Sequence, residues 1–171
     1  MAITVTKRTG KKENLDLEKL HKVVFWATEG ITGVSASQVE LKSHIQFYNG
    51  ISTKNIQETL IKSAADLITE ETPNYQFVAG RLINYSLRKE VYRQFKPCDI
   101  YEIVVKNVNN GFYDPELLHE YTEGEWNYIN NFIKHQRDED FTYVAMEQFR
   151  GKYLVQNRIT KEIFETPQIC Y

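Results

Sequence analysis

Lysine and arginine cluster near the start of this 171-residue chain, where Lys7-Arg8 precede the turn-forming Thr9-Gly10 and Lys19 follows Asp16. Arg88-Lys89 repeat the pairing far along the sequence. Ammonium and guanidinium groups supply the charge that a phosphate needs, and a helix start adds backbone N–H groups aimed at an anion. Helix starts are expected at Asp16 and Thr53, so these five cations and two termini could converge on phosphates. The same residues could equally form a solvated charged face, and pattern alone does not choose. The charge balance helps: 21 basic against 23 acidic side chains give a net −2. That argues against a general nucleic-acid binder. A basic N-terminal edge on a near-neutral chain suits a small anion better than a polyanion, while residues 111–140 carry eight acids against Lys134 and Arg137.

Other chemistry finds little support. His21, His44, His119 and His135 stand in no HExxH spacing, and there is no GxxxxGK[ST] loop and no GxGxxG. No nucleophile elbow or cysteine signature accompanies them. Cys98 and Cys170 are too few for a zinc site and argue for a reduced, cytosolic compartment without a disulfide framework. Asp138-Glu139-Asp140 reads as a helix-start cluster and not as an acid–base pair. No apolar run approaches the roughly 20 residues of a membrane span, and Met1 to Val5 lack the layout of a signal peptide. The residues describe a binding or regulatory module, not a self-sufficient enzyme.

The elements that must hold the basic residues follow from periodicity. Ile3 to Thr6 alternates, Gly10 supplies a turn, and a return strand should end near Leu15. Asp16 caps a helix with a buried stripe of Leu17, Leu20, Val24 and Ala27, stopped by Gly30. Ser35 with Gln38, or Ser37 with Glu40, has capping-box spacing before a helix containing Leu41 and Ile45. A third helix should begin near Ser52 or Thr53 with Ile56, Leu60, Ala64, Leu67 and Ile68 inward. Thr72-Pro73 should open a helix running to Phe95, about 34 Å long, ended by Lys96-Pro97. That point divides the chain into domains 1–96 and 97–171.

Beyond it, Asp99 caps a helix that stops at Gly111, Asp114-Pro115 opens a short one, and Thr122 with Glu125 forms a capping box for another through Lys134. Thr142 to Arg150 should be helical with Gly151 at C′. Tyr153 to Val155 and Ile163-Phe164 read as a hairpin, and Thr166-Pro167 as a helix start cut off within a turn. The chain is expected to end where a longer protein would continue. The predicted fold is mostly α in an α+β arrangement: a small β-hairpin or sheet capping a helical bundle, then further helices and a hairpin.

Val5-Thr6-Lys7-Arg8, Glu13 through Lys19 and Trp26-Ala27-Thr28-Glu29-Gly30 resemble the ATP-cone of class I ribonucleotide reductase large subunits. The likeness continues through Ser43 to Tyr48, Ile61 to Asp66, Tyr75-Gln76 and Leu87-Arg88-Lys89. Gly111 to Asp114, Asp140 to Tyr143 and Gly151 to Val155 resemble the entry into that family's catalytic barrel. The resemblance implies an allosteric site for ATP and dATP, with Mg2+, and no catalytic residue in this segment. It points to Lys7, Glu13, Asn14, Leu15, Asp16, Leu17, Glu18, Lys19, Thr53 and Lys89 as nucleotide contacts. Lys7, Lys19 and Lys89 would meet phosphates, Glu13 to Asp16 would wall base and sugar, and Arg8 and Arg88 stay candidates from the basic pattern. Asn55 and Gln57 stand where many dATP-inhibited relatives carry Asp and His. Implied partners are the rest of the large subunit and a radical-generating small subunit, with neither membrane nor direct nucleic-acid binding. A free-standing ATP-cone sensor is the alternative.

Overall fold

The computed structural model describes residues 3–171; Met1 and Ala2, where the reading of the N-terminus begins, lie outside them. The fold is mostly helical with one small mixed sheet, as its sequence predicts. Two compact units divide it: residues 1–86 with 140–146, and residues 87–139 with 147–171.

In the first unit, β1 (Thr4–Thr6) pairs antiparallel with β2 (Lys12–Asn14) in the register Thr4↔Asn14, Val5↔Glu13 and Thr6↔Lys12. Gly10 makes the turn possible: at φ +81° it adopts a backbone that side chains disfavour, and its N–H donates to the Lys7 carbonyl at 2.9 Å. A third strand, β3 (Ile51–Ser52), lies parallel to β1 on its other edge, giving the order β2-β1-β3. Two residues carry no alternation, so no sequence pattern announces this strand. Asn49 fixes it, its Oδ1 accepting from both the Thr4 N–H (2.9 Å) and the Thr4 hydroxyl (2.6 Å).

Helices α1 (Leu17–Thr28), α2 (Ala36–His44), α3 (Thr53–Ala65) and α4 (Tyr75–Val91) follow the expected order. Leu20, Val24 and Ala27 of α1 are buried, whereas Leu17, expected inside, is 52% exposed in the first turn. Helix α2 contains Leu41 as expected and ends one residue before Ile45; Val39 is its buried apolar residue, while Leu41 and Ile45 are exposed. Neither capping box forms there. Gln38 accepts instead from the Tyr75 hydroxyl at 2.7 Å, and Glu40 meets His21 Nδ1 at 2.7 Å. Ile56, Leu60 and Ala64 of α3 point inward as predicted, but the helix ends before Leu67 and Ile68.

Helix α4 is shorter than predicted at both ends. Pro73 and Asn74 form hydrogen-bonded turns to Gln76 and Phe77 before the regular helix begins. After Val91 the chain leaves the helix, and Arg93 takes a left-handed backbone at φ +58° before Lys96-Pro97 could stop it. Val78, Ala79, Leu82 and Ile83 form its fully buried face, and Gly80 lies against the Phe141 carbonyl, where no Cβ would fit.

The second unit contains α5 (Ile100–Asn109), α6 (Leu117–Glu120) and α7 (Glu123–Phe132), then a 3-10 turn at His135–Asp140. Asp99 caps α5 through the Tyr101 N–H, and Gly111 ends it at φ +73°. The Thr122–Glu125 capping box is present in both halves. Thr122→Ala should therefore cost about 1 kcal/mol in a denaturant titration, with the slope unchanged. Ile100, Val104 and Trp126 form one apolar cluster of this unit.

Helix α8 (Tyr143–Gln148) continues into a π turn at Phe149–Tyr153. Gly151 lies inside that turn without a positive φ, so the expected glycine C′ stop does not occur there. The predicted hairpin reduces to the single bridge Gln156↔Ile163, with Phe164 N–H donating to the Val155 carbonyl at 3.0 Å. The buried Glu165 carboxylate accepts from the Val155 N–H at 2.8 Å, taking up a donor that a longer ladder would use, and from the Tyr113 hydroxyl. Pro167 opens the short α9 (Pro167–Cys170) after Thr166, as the Thr-Pro pair implied. Among the described residues, no helix is long and apolar enough to cross a membrane.

Candidate functional site

Hairpin register decides which early charges meet. Glu13 lies opposite Val5, and the Lys7 ammonium reaches its Oε2 at 2.8 Å. At the other end of the hairpin the Leu15 N–H donates to the Ile3 carbonyl at 2.8 Å, which seats Asp16 as the cap of α1. Asp16 accepts from the Lys19 N–H at 3.1 Å with one oxygen and faces the Lys19 ammonium at 3.1 Å with the other. Hydrogen bonding from Lys7 leads the effects that hold the Glu13 carboxyl below its usual range, and the charges of Lys7, Lys19 and Lys11 add to it. The Lys19 N–H is the main cause of the lowered Asp16 pKa, and Asp16 in turn raises that of Lys19. Lys7, Glu13, Lys19 and Asp16 thus share one electrostatic neighbourhood of alternating sign.

These pairs are weak in solvent. Side-chain exposures of 42% and 32% for Lys7 and Glu13, and 74% and 41% for Lys19 and Asp16, leave them open to water and ions. Ion pairs this exposed contribute little, so an arriving anion can exchange partners at small cost.

Strand β3 brings the third part. Its register Thr6↔Ser52 sets the first turn of α3 beside the end of β1, next to Lys7. Ser52 caps that helix, accepting from the Asn55 N–H at 3.0 Å, and Thr53 is its first residue. The Asn55 amide donates to the Tyr48 hydroxyl at 3.4 Å, and Gln57 keeps its side-chain oxygen buried with no hydrogen-bond partner. An unsatisfied acceptor of this kind costs about 1–3 kcal/mol until something donates to it. The two helix starts lie at opposite ends of the three-residue β1, about 7 Å of strand. Ser52→Ala should destabilise the first unit by about 1 kcal/mol and loosen the backbone N–H groups of this turn, which amide exchange would detect.

Sequence reasoning found the hairpin cations and the α3 start but missed Asn49, which places β3 through Thr4, and Tyr48, which accepts from Asn55. The Asn49-Gly50 turn was the only signal. Asn14, Leu15, Leu17 and Glu18 follow the hairpin into α1, with Leu17 and Glu18 exposed, and Arg8 is exposed beside Lys7. Arg88 and Lys89 belong to the second unit. Arg88 is 5% exposed, donates to the His135 carbonyl at 2.8 Å, lies over the Phe95 ring at 5.1 Å and faces Glu139 at 3.8 Å. Its charge is engaged within that unit. Among the described residues, no group of three or more His, Cys, Asp or Glu could hold a metal ion.

The ATP cone domain family matches residues 3–90 of this chain. Over 169 residues, 99% of its length, the chain is 53% identical to ribonucleoside-diphosphate reductase 1 subunit alpha of Escherichia coli (strain K12), of which it spans 22%. It is 41% identical over 171 residues to the ribonucleoside-diphosphate reductase subunit alpha of Enterobacteria phage T4, again 22% of that protein. The subunit alpha of Helicobacter pylori (strain ATCC 700392 / 26695) is 35% identical over 167 residues, 21% of its length.

Proposed function

Because this chain belongs to the ATP cone domain family, we propose that its first unit binds adenine nucleotides as the allosteric portion of a ribonucleoside-diphosphate reductase large subunit. The observation that carries this reading is the alternating cluster of Lys7, Glu13, Lys19 and Asp16 beside the capped start of α3. Phosphates take the place of Glu13 and Asp16 as partners of Lys7 and Lys19, and the N–H groups at Thr53 and beyond face the same charge. Glu13 to Asp16 wall the base and sugar, with Leu17 and Glu18 following them into α1. The pairing of Glu13 and Asp16 with lysines leaves little for a divalent cation, so any Mg2+ arrives on the nucleotide's own phosphates. Arg8 and Lys89 enter this reading by pattern and resemblance, and alanine substitution at each decides its part. In the completed enzyme the partners would be the rest of the large subunit and the radical-generating small subunit, working in deoxyribonucleotide synthesis in the cytoplasm.

Calorimetric titration with ATP and dATP tests the site directly. Binding should be saturable, and Lys7→Ala should weaken it at least tenfold, the effect of losing one charge-assisted contact of about 1.5–3 kcal/mol. No heat at millimolar nucleotide, with the chain folded, would sink the proposal.

ATP should activate and dATP inhibit weakly or not at all. Asn55 offers a neutral amide already turned to Tyr48, and Gln57 offers an orphaned carbonyl where dATP-inhibited relatives carry a ring. Joined to the remainder of a reductase, this segment should leave CDP reduction nearly unchanged at micromolar dATP. Asn55→Asp with Gln57→His should then lower the inhibitory dATP concentration about tenfold, the value of one charged hydrogen bond. Strong inhibition of the unmodified fusion would overturn this part alone.

A further inference from the structure

Away from the hairpin, the second unit holds an open cavity of about 550 Å³ at the starts of α5 and α7. Three carboxylates line it, Asp99, Glu102 and Glu123, together with the rings of Tyr101, Tyr121 and Trp126. No lysine, arginine or histidine is among its lining residues. Trp126 is the hub: the Tyr101 ring lies 5.6 Å from it and the Tyr121 ring 5.2 Å away, edge-on. It is only 8% exposed, and its indole N–H is buried with no acceptor. Buried indole N–H groups ordinarily find a partner, so this one lacks something to donate to.

The walls select their ligand by exclusion. Three carboxylates repel any anion, including the phosphates proposed for the hairpin. A purely apolar guest would strip water from those carboxylates without replacing it. A cation meets both needs at once, since aromatic faces attract positive charge and carboxylates accept its N–H groups. The volume lies within the roughly 300–1,000 Å³ range of small-ligand pockets and exceeds what one metal ion would fill.

We infer that this cavity binds a guanidinium or alkylammonium cation, held by Glu102 and Glu123 against the rings of Tyr101, Tyr121 and Trp126. Asp99 adds charge, while one of its oxygens stays on the Tyr101 N–H at 2.9 Å as the cap of α5.

The test uses the whole 171-residue chain labelled with nitrogen-15. Its two tryptophans, Trp26 and Trp126, give two indole N–H signals, assigned with Trp126→Phe. N-acetyl-arginine methylamide should move the Trp126 signal in a saturable way at millimolar concentration. The citrulline counterpart, of the same shape without the charge, should bind at least tenfold more weakly. Glu102→Gln combined with Glu123→Gln should weaken the arginine probe at least tenfold while leaving the melting temperature within a few degrees. Agmatine separates the sources: binding as tight as the arginine probe assigns the site to a free cation, and weaker binding assigns it to an arginine side chain. A Trp126 signal unmoved by both cations at tens of millimolar, or moved equally by citrulline, would overturn the inference.

Discussion

Gly80→Ala should lower the melting temperature of the first unit by roughly 10–15 °C, even though alanine is the better helix former. Two effects of opposite sign compete at this position. In the interior of α4, replacing glycine by alanine should gain about 1 kcal/mol by propensity. A Cβ there, however, would lie 2.1 Å from the Phe141 carbonyl oxygen and 3.0 Å from the Thr142 backbone carbon. Backbone atoms cannot rotate away as the end of a side chain can, so α4 and the 140–146 segment must separate. Overpacking of this kind costs about 1–3 kcal/mol and more where backbone is met. We take about 3 kcal/mol, which leaves a net loss near 2 kcal/mol. At roughly 4–8 °C per kcal/mol for a unit of this size, the stated shift follows. Gly124→Ala is the control, because nothing lies within 4 Å of a Cβ at that helical position. It should leave the melting temperature unchanged or slightly raised. A Gly80→Ala protein as stable as the parent would show that the close approach is absent in solution.

Asp138→Asn should stabilise the second unit at pH 8 and lose that advantage below pH 4. The Asp138 side chain is fully buried, and burial pushes its pKa up to about 7 from an ordinary 3.8. The nearby Arg88 charge and Gln168 lower it somewhat, and Glu139 opposes them. A pKa raised in the folded state means the native protein binds the proton more tightly than the unfolded chain. Its contribution is therefore fully present below about pH 4, declines as pH rises and is gone above about pH 7. Three units correspond to about 4 kcal/mol, so the difference between parent and variant should change by that order across the window. His135 titrates oppositely: burial and the Arg88 charge lower its pKa to about 4, so its contribution is lost as pH falls from about 6.5 toward 4. His135 is present in both proteins and largely cancels in the comparison. Denaturant titrations of both at pH 4 and pH 8 provide the measurement, and a difference independent of pH would refute the account.

Asp138 also shows where sequence reasoning stops. In the sequence Asp138-Glu139-Asp140 reads as a helix-start cluster, but the three acids close the 3-10 turn at His135–Asp140 and the next helix begins only at Tyr143. Glu139 is partly exposed and Asp140 exposed, yet Asp138 is buried, with Arg88 and Gln168 near it. No local pattern carries information across the 30 positions to Gln168 and the 50 to Arg88. Arg88 teaches the same lesson. Beside Lys89 it reads as one of a pair of available cations, and only packing against Phe95 and the His135 carbonyl shows where its guanidinium goes.

What the sequence determined by itself are features whose causes lie within a turn or two of chain. Gly10 set the hairpin turn, Asp16, Ser52, Asp99 and Thr122 set helix starts, Gly111 set a stop, and Pro167 opened the last helix. Each is a matter of φ or of a cap satisfying an N–H a few residues away, so nearby residues suffice. The cations Lys7 and Lys19 and the α3 start were legible for the same reason. Tertiary structure alone decided the rest. It chose which face of α2 is buried, because Val39 packs inward while Leu41 and Ile45, equally apolar, do not. It created β3 from two residues, since a strand that short exists only when β1 supplies its hydrogen bonds. It set Lys7 against Glu13 and beside Ser52 through the register of three strands, and it turned Gln38 to Tyr75 in place of a capping box. Most of those outcomes depend on partners 37 or more positions away or on competition among many apolar faces for one core, and that competition is settled only when the whole unit packs.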